Sequence, residues 1–361
     1  MHRLMAGITI LEHELSELRL LVERQTGILL DCPNSVLAAH VAAYVEKCEL
    51  ESAAALLQRV RSCELDPTEL AAFLDGVLNV NTGFFRHPGA MNALSRQVIP
   101  QLYARKAVEG SGTLRIWSAG CGTGEEPYSI AMAISDAMLG VNPTSNGNGT
   151  NNGNPAKDAK PASRNGGITE NSVPNSTGTG LKDWSIHIVG SDLLPSAIAV
   201  AERGLYPQSA LAGLPSALIR ASFSKVGTCS ASPSAPPENN LPASSSENAT
   251  SNGGNGASGA TYLLVKPRLR SLVTFNTMNL TKPVYIGRFD CIFCMNVLPH
   301  LSRAQRSALI ERLHLYLEPG GYLFLSQTEK LCVANLNFRS ETYDGYTFHR
   351  KPLAASAAYG R

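Results

Sequence analysis

Residues 114–128 combine a buried strand, a glycine-rich turn and a helix start, an arrangement that can hold a small ligand. Glycines in the turn can adopt a positive φ and let a ligand approach the backbone closely. They are Gly120, Gly122 and Gly124. Pro127 suits the first turn of a helix that we predict to continue through Met138. This glycine pattern alone is equally compatible with a plain strand-to-helix turn.

The charges beside this turn indicate which ligand it would hold. A dinucleotide site presents bare N–H groups and the positive end of a helix to a pyrophosphate. Here the carboxylates of Glu125 and Glu126 stand where that anion would lie. Glu126 is better suited to a cationic amino acid or a hydroxyl group, which favours S-adenosylmethionine over a dinucleotide.

Asp192 follows a second predicted strand, Trp184 to Gly190, and precedes a helix that opens near Pro195. In doubly wound sheets an acidic residue at this place holds a ribose hydroxyl, roughly 20 residues beyond the glycines. Asp192 lies 68 positions after Gly124, but residues 141–180 are rich in Asn, Gly, Ser, Thr and Pro, and without those 40 residues the distance is 28. We therefore predict an insert. The alternative is that Asp192 only caps the following helix.

A set of further segments occurs in a characteristic order along the chain. They are Asn81-Thr-Gly-Phe-Phe-Arg86, Trp117-Ser-Ala-Gly-Cys-Gly-Thr-Gly-Glu-Glu-Pro-Tyr-Ser129, Gly190-Ser-Asp192, Asn279-Leu280, Phe289-Asp-Cys-Ile-Phe-Cys-Met-Asn-Val297 and Pro319-Gly-Gly-Tyr-Leu323. In this order they resemble CheR-type methyltransferases, which use S-adenosylmethionine to methylate glutamates of chemotaxis receptors.

The resemblance implies a fold and a reaction. It implies a small all-helical N-terminal domain (1–78), followed by an α/β class I, Rossmann-like methyltransferase domain (79–361) with a small β-subdomain (207–271). Residues 141–180 and 228–260 have the composition of disordered inserts. The implied enzyme is a protein-glutamate O-methyltransferase that converts S-adenosylmethionine to S-adenosylhomocysteine. Its implied partners are the cytoplasmic domains of methyl-accepting chemotaxis receptors.

The same resemblance assigns site residues by their match to the family motifs. The implied catalytic residues are Arg86 and His300. The implied cofactor-binding residues are Thr82, Arg86, Gly120, Gly122, Glu126, Asp192, Asn279, Leu280, Met295 and Asn296. A surface role is the alternative for Arg86.

No metal site is predicted, because Cys291 and Cys294 form a lone CxxC on a strand, where core packing is the expected role.

The chain also departs from the family pattern. The family usually has Asn six positions before the active-site Arg, where this chain has Val80, and Asn81 is displaced by one. After the fourth strand the family has Arg-Asn and then Tyr, whereas this chain has Met295, Asn296 and His300. A histidine introduces a group that titrates near pH 6.5, roughly. His300 is also compatible with a local cap or a surface position.

Glu329 fits the Ser-Glu pattern that the family has at a strand end. A solvated charge is an equally good interpretation of this residue from the sequence.

Composition argues against nucleic-acid and membrane proteins. The net charge is +2 over 361 residues, hydrophobic residues make up 43%, and apolar runs stay well short of the length of about 20 residues that a bilayer span needs. Glu12 and Glu14 interrupt any signal-peptide core. We expect a cytoplasmic monomer that binds no nucleic acid and does not insert into a membrane.

Periodicity predicts the remaining elements. Residues 1–78 read as amphipathic helices, the last of them from Thr68 to Leu78. Their basic residues, Arg24, His40, Lys47, Arg59 and Arg61, are diluted by Glu23, Glu46, Glu49 and Glu51, so a mixed-charge face is favoured over a basic docking patch. Further on we predict a helix from Ser302 to Tyr316, a turn at Pro319-Gly320-Gly321, and a terminal hairpin with an Asp-Gly turn.

Two other functions remain compatible with the sequence. The chain could be a class I methyltransferase on a hydroxyl or amine substrate with His300 as general base. It could also be a non-catalytic module that binds S-adenosylmethionine and signals through its N-terminal helices. The FFR and EEPYS motifs favour the receptor methyltransferase.

Overall fold

The computed structural model describes residues 10–62, 67–78, 82–139, 184–226, 261–283, 287–331 and 336–353. Both predicted inserts, 141–180 and 228–260, fall outside these residues, as do Val80 and Asn81.

Helices α1 to α4 form the N-terminal part. They are α1 (Glu12–Thr26), α2 (Asn34–Lys47), α3 (Ala53–Arg61) and α4 (Pro67–Asp75). Apolar side chains at helical spacing, such as Leu18, Leu37 and Phe73, are buried in one shared core. Helix α4 ends at Asp75, three residues before the predicted end, and the chain continues in a turn at Gly76.

The basic residues of these helices are largely engaged by neighbours. Arg59 pairs with Glu69 at 3.4 Å, and Arg61 pairs with Glu17. The ring Nε2 of His40 lies 2.7 Å from the carbonyl oxygen of Phe73. These contacts agree with the mixed-charge interpretation of this surface.

A seven-stranded sheet forms the centre of the C-terminal part, with the strand order β6-β2-β1-β7-β8-β10-β9. Its strands are β1 (Thr113–Ala119), β2 (Ser185–Asp192), β6 (Val273–Thr277), β7 (Phe289–Phe293), β8 (Leu317–Phe324), β9 (Arg339–Tyr343) and β10 (Tyr346–Arg350). Neighbours from β6 to β8 pair in parallel, whereas β10 is antiparallel to both β8 and β9. This is the predicted class I Rossmann-like fold with an antiparallel edge.

Helices precede β1 and lie between several of the later strands. They are α5 (Pro88–Ala93), which continues through a π-helical turn at Leu94–Val98 into α6 (Ile99–Glu109), then α7 (Glu125–Leu139), α8 (Pro195–Arg203), α9 (Ser216–Ser222), α10 (Pro267–Arg270) and α11 (Arg303–Tyr316). Across the described ranges, every helix is too short or too polar to cross a bilayer.

The chain order of the strands creates a switch point between β1 and β7. From β1 the chain steps outward to β2 and β6, and then returns to place β7 on the other side of β1. In open α/β sheets, ligands bind in the crevice beyond the carboxyl ends of the strands at such a point. The glycine turn after β1, Asp192 at the end of β2 and Met295 after β7 all border this crevice.

A separate three-stranded antiparallel sheet has the order β3-β5-β4. It comprises β3 (Leu205–Pro207), β4 (Phe223–Lys225) and β5 (Tyr262–Val265). The ring of Phe84 packs edge-on against Tyr206 and Phe223, with centroids 4.9 and 5.4 Å away. The small sheet therefore supports the segment that carries Arg86, and it begins at Leu205, slightly before the predicted position 207.

Two predicted turns have different outcomes. The Pro319-Gly320-Gly321 turn is wrong, because these residues lie inside β8, where pairing passes from Phe289↔Leu317 to Cys291↔Tyr322 and leaves them in a bulge. The Asp-Gly turn is confirmed. Asp344 (φ 47°) and Gly345 (φ 76°) both have the positive φ of a tight hairpin turn between β9 and β10.

Candidate cofactor and active site

A cavity of about 750 Å³ lies at the switch point. All the predicted site residues line it: Thr82, Arg86, Gly120, Gly122, Glu126, Asp192, Asn279, Leu280, Met295, Asn296 and His300. The structure thus brings together residues that the sequence separates by more than two hundred positions. Their individual roles stay predictions.

The glycine turn after β1 needs glycine both for its backbone conformation and for packing. Gly120, Gly122 and Gly124 have φ values of 81°, 55° and 94°. A Cβ on Gly120 would come within 2.4 Å of the Val297 side chain, and one on Gly124 within 2.6 Å of the Ala201 Cβ. Protein atoms, rather than a ligand, therefore fill the space that these two glycines leave.

Asp192 ties the glycine turn to the end of β2. Its Oδ2 accepts a hydrogen bond from the Gly122 N–H at 2.8 Å, and its Oδ1 accepts one from the Leu194 N–H at 3.0 Å. The N-cap of α8 is Leu194, and no side chain caps that helix. The alternative that Asp192 is only a helix cap is therefore wrong. Its carboxylate is held at the cavity wall, where it can accept hydrogen bonds from ribose hydroxyls.

The two glutamates at the start of α7 have different surroundings. Glu125 is buried and accepts hydrogen bonds from the hydroxyls of Thr123, at 2.7 Å, and of Thr82. Glu126 lines the cavity and accepts a hydrogen bond from the Ser118 hydroxyl at 2.6 Å. The expectation that both carboxylates face the ligand thus holds for Glu126 alone. The Thr82 hydroxyl is engaged by Glu125.

The charge of Glu126 is poorly compensated. The pKa of Glu126 is raised from 4.5 to about 7, chiefly by burial and also by the nearby carboxylate of Glu329; the Ser118 hydrogen bond and the charge of Arg86 act in the opposite direction. A cationic group of a ligand would favour the ionised form of this carboxylate. The donor set of the cavity, with Asp192 for hydroxyls and Glu126 for an ammonium, fits S-adenosylmethionine and disfavours a phosphate.

Glu329 organises the loop after β7. Its carboxylate accepts hydrogen bonds from the backbone N–H groups of Asn296 at 3.1 Å, Leu298 at 3.0 Å and Ser326 at 2.9 Å. Asn296 itself has φ 60°, which is unusual for a residue with a side chain. The alternative of a solvated charge at Glu329 is therefore wrong, because this residue joins the loops that follow β7 and β8.

His87 was missed by the sequence analysis. Its Nε2 lies 2.6 Å from Oδ1 of Asn296, and both residues line the cavity. Phe85, two residues before His87, has φ 51°, and its N–H donates to the Ser129 hydroxyl at 2.9 Å. The sequence signal for His87 is that it directly follows the FFR motif. None of the motifs on which the resemblance rests includes this residue.

The N-terminal helices supply the opposite wall of the cavity, through residues that include Ile28, Leu30, Val36, Val77 and Leu78. The carbonyl of Thr26 accepts from the Asn279 amide at 3.2 Å and from the Thr281 hydroxyl at 2.6 Å. The amide oxygen of Asn279 also accepts from the Thr281 N–H at 2.9 Å. The side chain of Asn279 is thus engaged in joining the two parts of the chain.

His300 lies at the exposed side of the cavity, in the 3-10 turn Leu298–His300. Its carbonyl oxygen accepts a hydrogen bond from the Leu29 N–H at 2.8 Å. Met295, by contrast, is buried. Cys291 and Cys294 are both fully buried, as the core-packing interpretation requires, and no cluster of potential metal ligands occurs within the described residues.

Comparison with known proteins supports S-adenosylmethionine as the cofactor. The chain matches the family described as CheR methyltransferase, SAM binding domain, over residues 80–146 and 239–346. It is 26% identical to chemotaxis protein methyltransferase 1 of Pseudomonas aeruginosa over 316 residues, which cover 87% of this chain and 88% of that protein. It is 25% identical to the chemotaxis protein methyltransferase of Vibrio parahaemolyticus over 330 residues, 91% of this chain and 92% of that protein.

Among solved structures, magnesium protoporphyrin IX methyltransferase from Synechocystis PCC 6803 with bound SAM aligns with a TM-score of 0.27. The identity is 14%, and the alignment covers 75% of this chain and 85% of that chain. Individual residues cannot be compared at this level.

Replacing Asp192 should weaken cofactor binding. We expect Asp192→Ala to reduce the affinity for S-adenosylmethionine by about 1.5 to 3 kcal/mol, because charge-assisted hydrogen bonds are lost and the Gly122 N–H loses its acceptor. Calorimetric titration measures the change. Asp136→Ala, on α7 and away from the cavity, is the matched control and should bind normally. An unchanged dissociation constant for a folded Asp192 variant would remove this residue from the site.

Cofactor binding should release a proton from Glu126. With its pKa raised to about 7, Glu126 is partly protonated in the free protein, and the ammonium group of the ligand favours the carboxylate. Affinity should therefore rise with pH between about 5.5 and 7.5, by at most tenfold per unit. Titration in buffers of different ionisation enthalpy counts the protons released. Glu126→Gln should bind more weakly and release none from this position; equal release by both proteins would contradict the assignment.

Proposed function

Because this chain belongs to the CheR methyltransferase family, whose SAM-binding domain it carries, we propose that it methylates glutamate side chains of chemotaxis receptors. The products would be glutamate methyl esters and S-adenosylhomocysteine. The observation that carries this proposal is the convergence of Arg86, Glu126, Asp192 and His300 on one cavity.

The proposed chemistry asks little of the protein beyond positioning. When bound, S-adenosylmethionine supplies an electrophilic methyl group, which a carboxylate oxygen takes as the S–CH₃ bond breaks and its electron pair stays on sulfur. A glutamate side chain has a pKa of roughly 4.3, so the nucleophile is already ionised at neutral pH and needs no general base. The remaining tasks are alignment of the carboxylate and exclusion of water.

The charge distribution of the cavity supports this scheme. Charge is neutralised during the transfer, so a cation held tightly against the carboxylate would favour the reactant over the transition state. Met295 stands where the family pattern has Arg, and it contributes no charge. Arg86 lines the cavity at an exposed position, where solvent weakens its field. Arg86 can therefore orient a carboxylate through its planar, two-pronged donor set without binding it too strongly.

We propose a cytoplasmic location and receptor cytoplasmic domains as partners, since these present the glutamates. The supporting observations are the sequence similarity to chemotaxis protein methyltransferases and the wall that the N-terminal helices add to the cavity. The decisive experiment is transfer of a labelled methyl group to receptor cytoplasmic domains of the source organism. Base treatment should release the label as methanol, as an ester requires; a base-stable product would reject glutamate methylation.

Arg86 should be needed for turnover more than for cofactor affinity. We expect Arg86→Ala to lower the transfer rate about a hundredfold, the cost that a misplacement of about 1 Å can impose. The exposed Arg303 on α11 provides the control Arg303→Ala, which should transfer at the normal rate. A normal rate for Arg86→Ala, or an equally large loss in cofactor affinity, would contradict an orienting role.

His300 at the cavity supports a second candidate, a methyltransferase with a hydroxyl or amine substrate and His300 as base. The two functions predict opposite behaviour. For glutamate transfer no general base is needed, so His300→Tyr should be tolerated, with a transfer rate close to that of the wild type. If His300→Tyr instead abolishes transfer while cofactor binding is unchanged, the base mechanism is correct.

A further inference from the structure

His87 and Asn296 reach each other across the cavity from distant parts of the chain. His87 lies between Arg86 and α5, whereas Asn296 follows β7, 209 residues later. The distance of 2.6 Å between Nε2 and Oδ1 is that of a short, well-formed hydrogen bond. The backbone of Asn296 is fixed independently, because its N–H donates to Glu329.

The chemistry of the two groups fixes the direction of this hydrogen bond. An amide oxygen carries no proton, so the Nε2 atom of His87 must be the donor, whether the ring is neutral or protonated. An isolated asparagine can exchange its oxygen and its NH₂ group by a half-turn of the amide. With the oxygen held by His87, the NH₂ group of Asn296 is turned away from His87 and can donate to a ligand.

We propose that His87 is a positioning residue that holds the amide of Asn296 as a hydrogen-bond donor toward the molecule bound in the cavity. The residue after β7 stands beside the switch point, where a ligand of this sheet lies. The ligand atom that meets Asn296 would then be an acceptor, such as a ring nitrogen or an oxygen of the cofactor. A donor without charge provides this contact without adding a cation near the reaction. The inference deepens the proposed function and rests on it only for the choice of cofactor.

The backbone of His87 has a separate structural role that substitutions leave intact. Its carbonyl accepts hydrogen bonds from the N–H groups of Ala90 at 3.1 Å and Met91 at 3.2 Å, at the start of α5. His87→Phe keeps a ring and this backbone but removes the donor. His87→Gln keeps an N–H group at the end of its side chain. Comparing these two variants therefore separates the effect of ring packing from the effect of the hydrogen bond.

Calorimetric titration of the full-length protein with S-adenosylhomocysteine tests the proposal without any receptor. We expect His87→Phe to bind about tenfold more weakly, the cost of one misoriented hydrogen bond, and His87→Gln to bind within about threefold of the wild type. Because His87 acts through Asn296, the double variant His87→Phe/Asn296→Ala should bind no more weakly than Asn296→Ala alone. Unchanged binding by His87→Phe, or additive losses in the double variant, would overturn the proposal.

A spectroscopic measurement covers the case in which His87→Phe does not fold. Two-bond ¹H–¹⁵N correlation of the free wild-type protein should show His87 with a proton on Nε2. A ring protonated only on Nδ1 would exclude the proposed donor. If these results hold while receptor domains receive no methyl group, the receptor function fails and the role of His87 stands.

Discussion

The parallel pairing of β1 with strands on both of its sides is the constraint on which the cavity depends. Trp117 lies opposite Val189 of β2 and Ile292 of β7, so the three strands end at one level. Trp117 is buried, and its Nε1–H donates to the Ser191 hydroxyl at 2.9 Å, which adds a side-chain contact to this register. A shift in either pairing would separate the strand-end residues that line the cavity together.

Above this sheet edge, one buried carboxylate and three half-buried ones are stabilised in different ways, which correspond to different roles. Glu329 is bound by backbone N–H groups and holds a loop, and Asp192 is bound by backbone N–H groups and faces the cavity. Glu125 is bound by hydroxyl groups. Glu126 accepts a hydrogen bond from the Ser118 hydroxyl, and burial, together with the charge of Glu329, raises its pKa to about 7. An ionised carboxylate with so few donors favours a cationic ligand.

The sequence predicted the parts of the molecule that local rules determine. Alternation of strands and helices indicated the parallel sheet, the Asp-Gly pair indicated the hairpin, and glycines with acidic neighbours indicated the ligand. It could not show that the N-terminal helices line the cavity, because residues such as Ile28 and Leu30 look like ordinary core residues. It also misplaced the Pro319-Gly320-Gly321 segment, because a bulge inside a strand and a turn before it require the same residue types.

The departures from the family pattern and the tertiary contacts of the loop after β7 can be explained together. The loop after β7 has Met295 where the family pattern has Arg. The polar side chains of this loop that line the cavity are the neutral amide of Asn296 and the exposed ring of His300. That loop is fixed at several points: by Glu329 and His87, and by Leu29 of the N-terminal helical part, whose N–H binds the carbonyl of His300. In the proposed transfer, which removes charge, rigidly held neutral donors stabilise the ionised carboxylate less than a strong cation would, so they align the reactants at a smaller cost. The position of His300 consequently depends on the N-terminal helices as well as on the sheet.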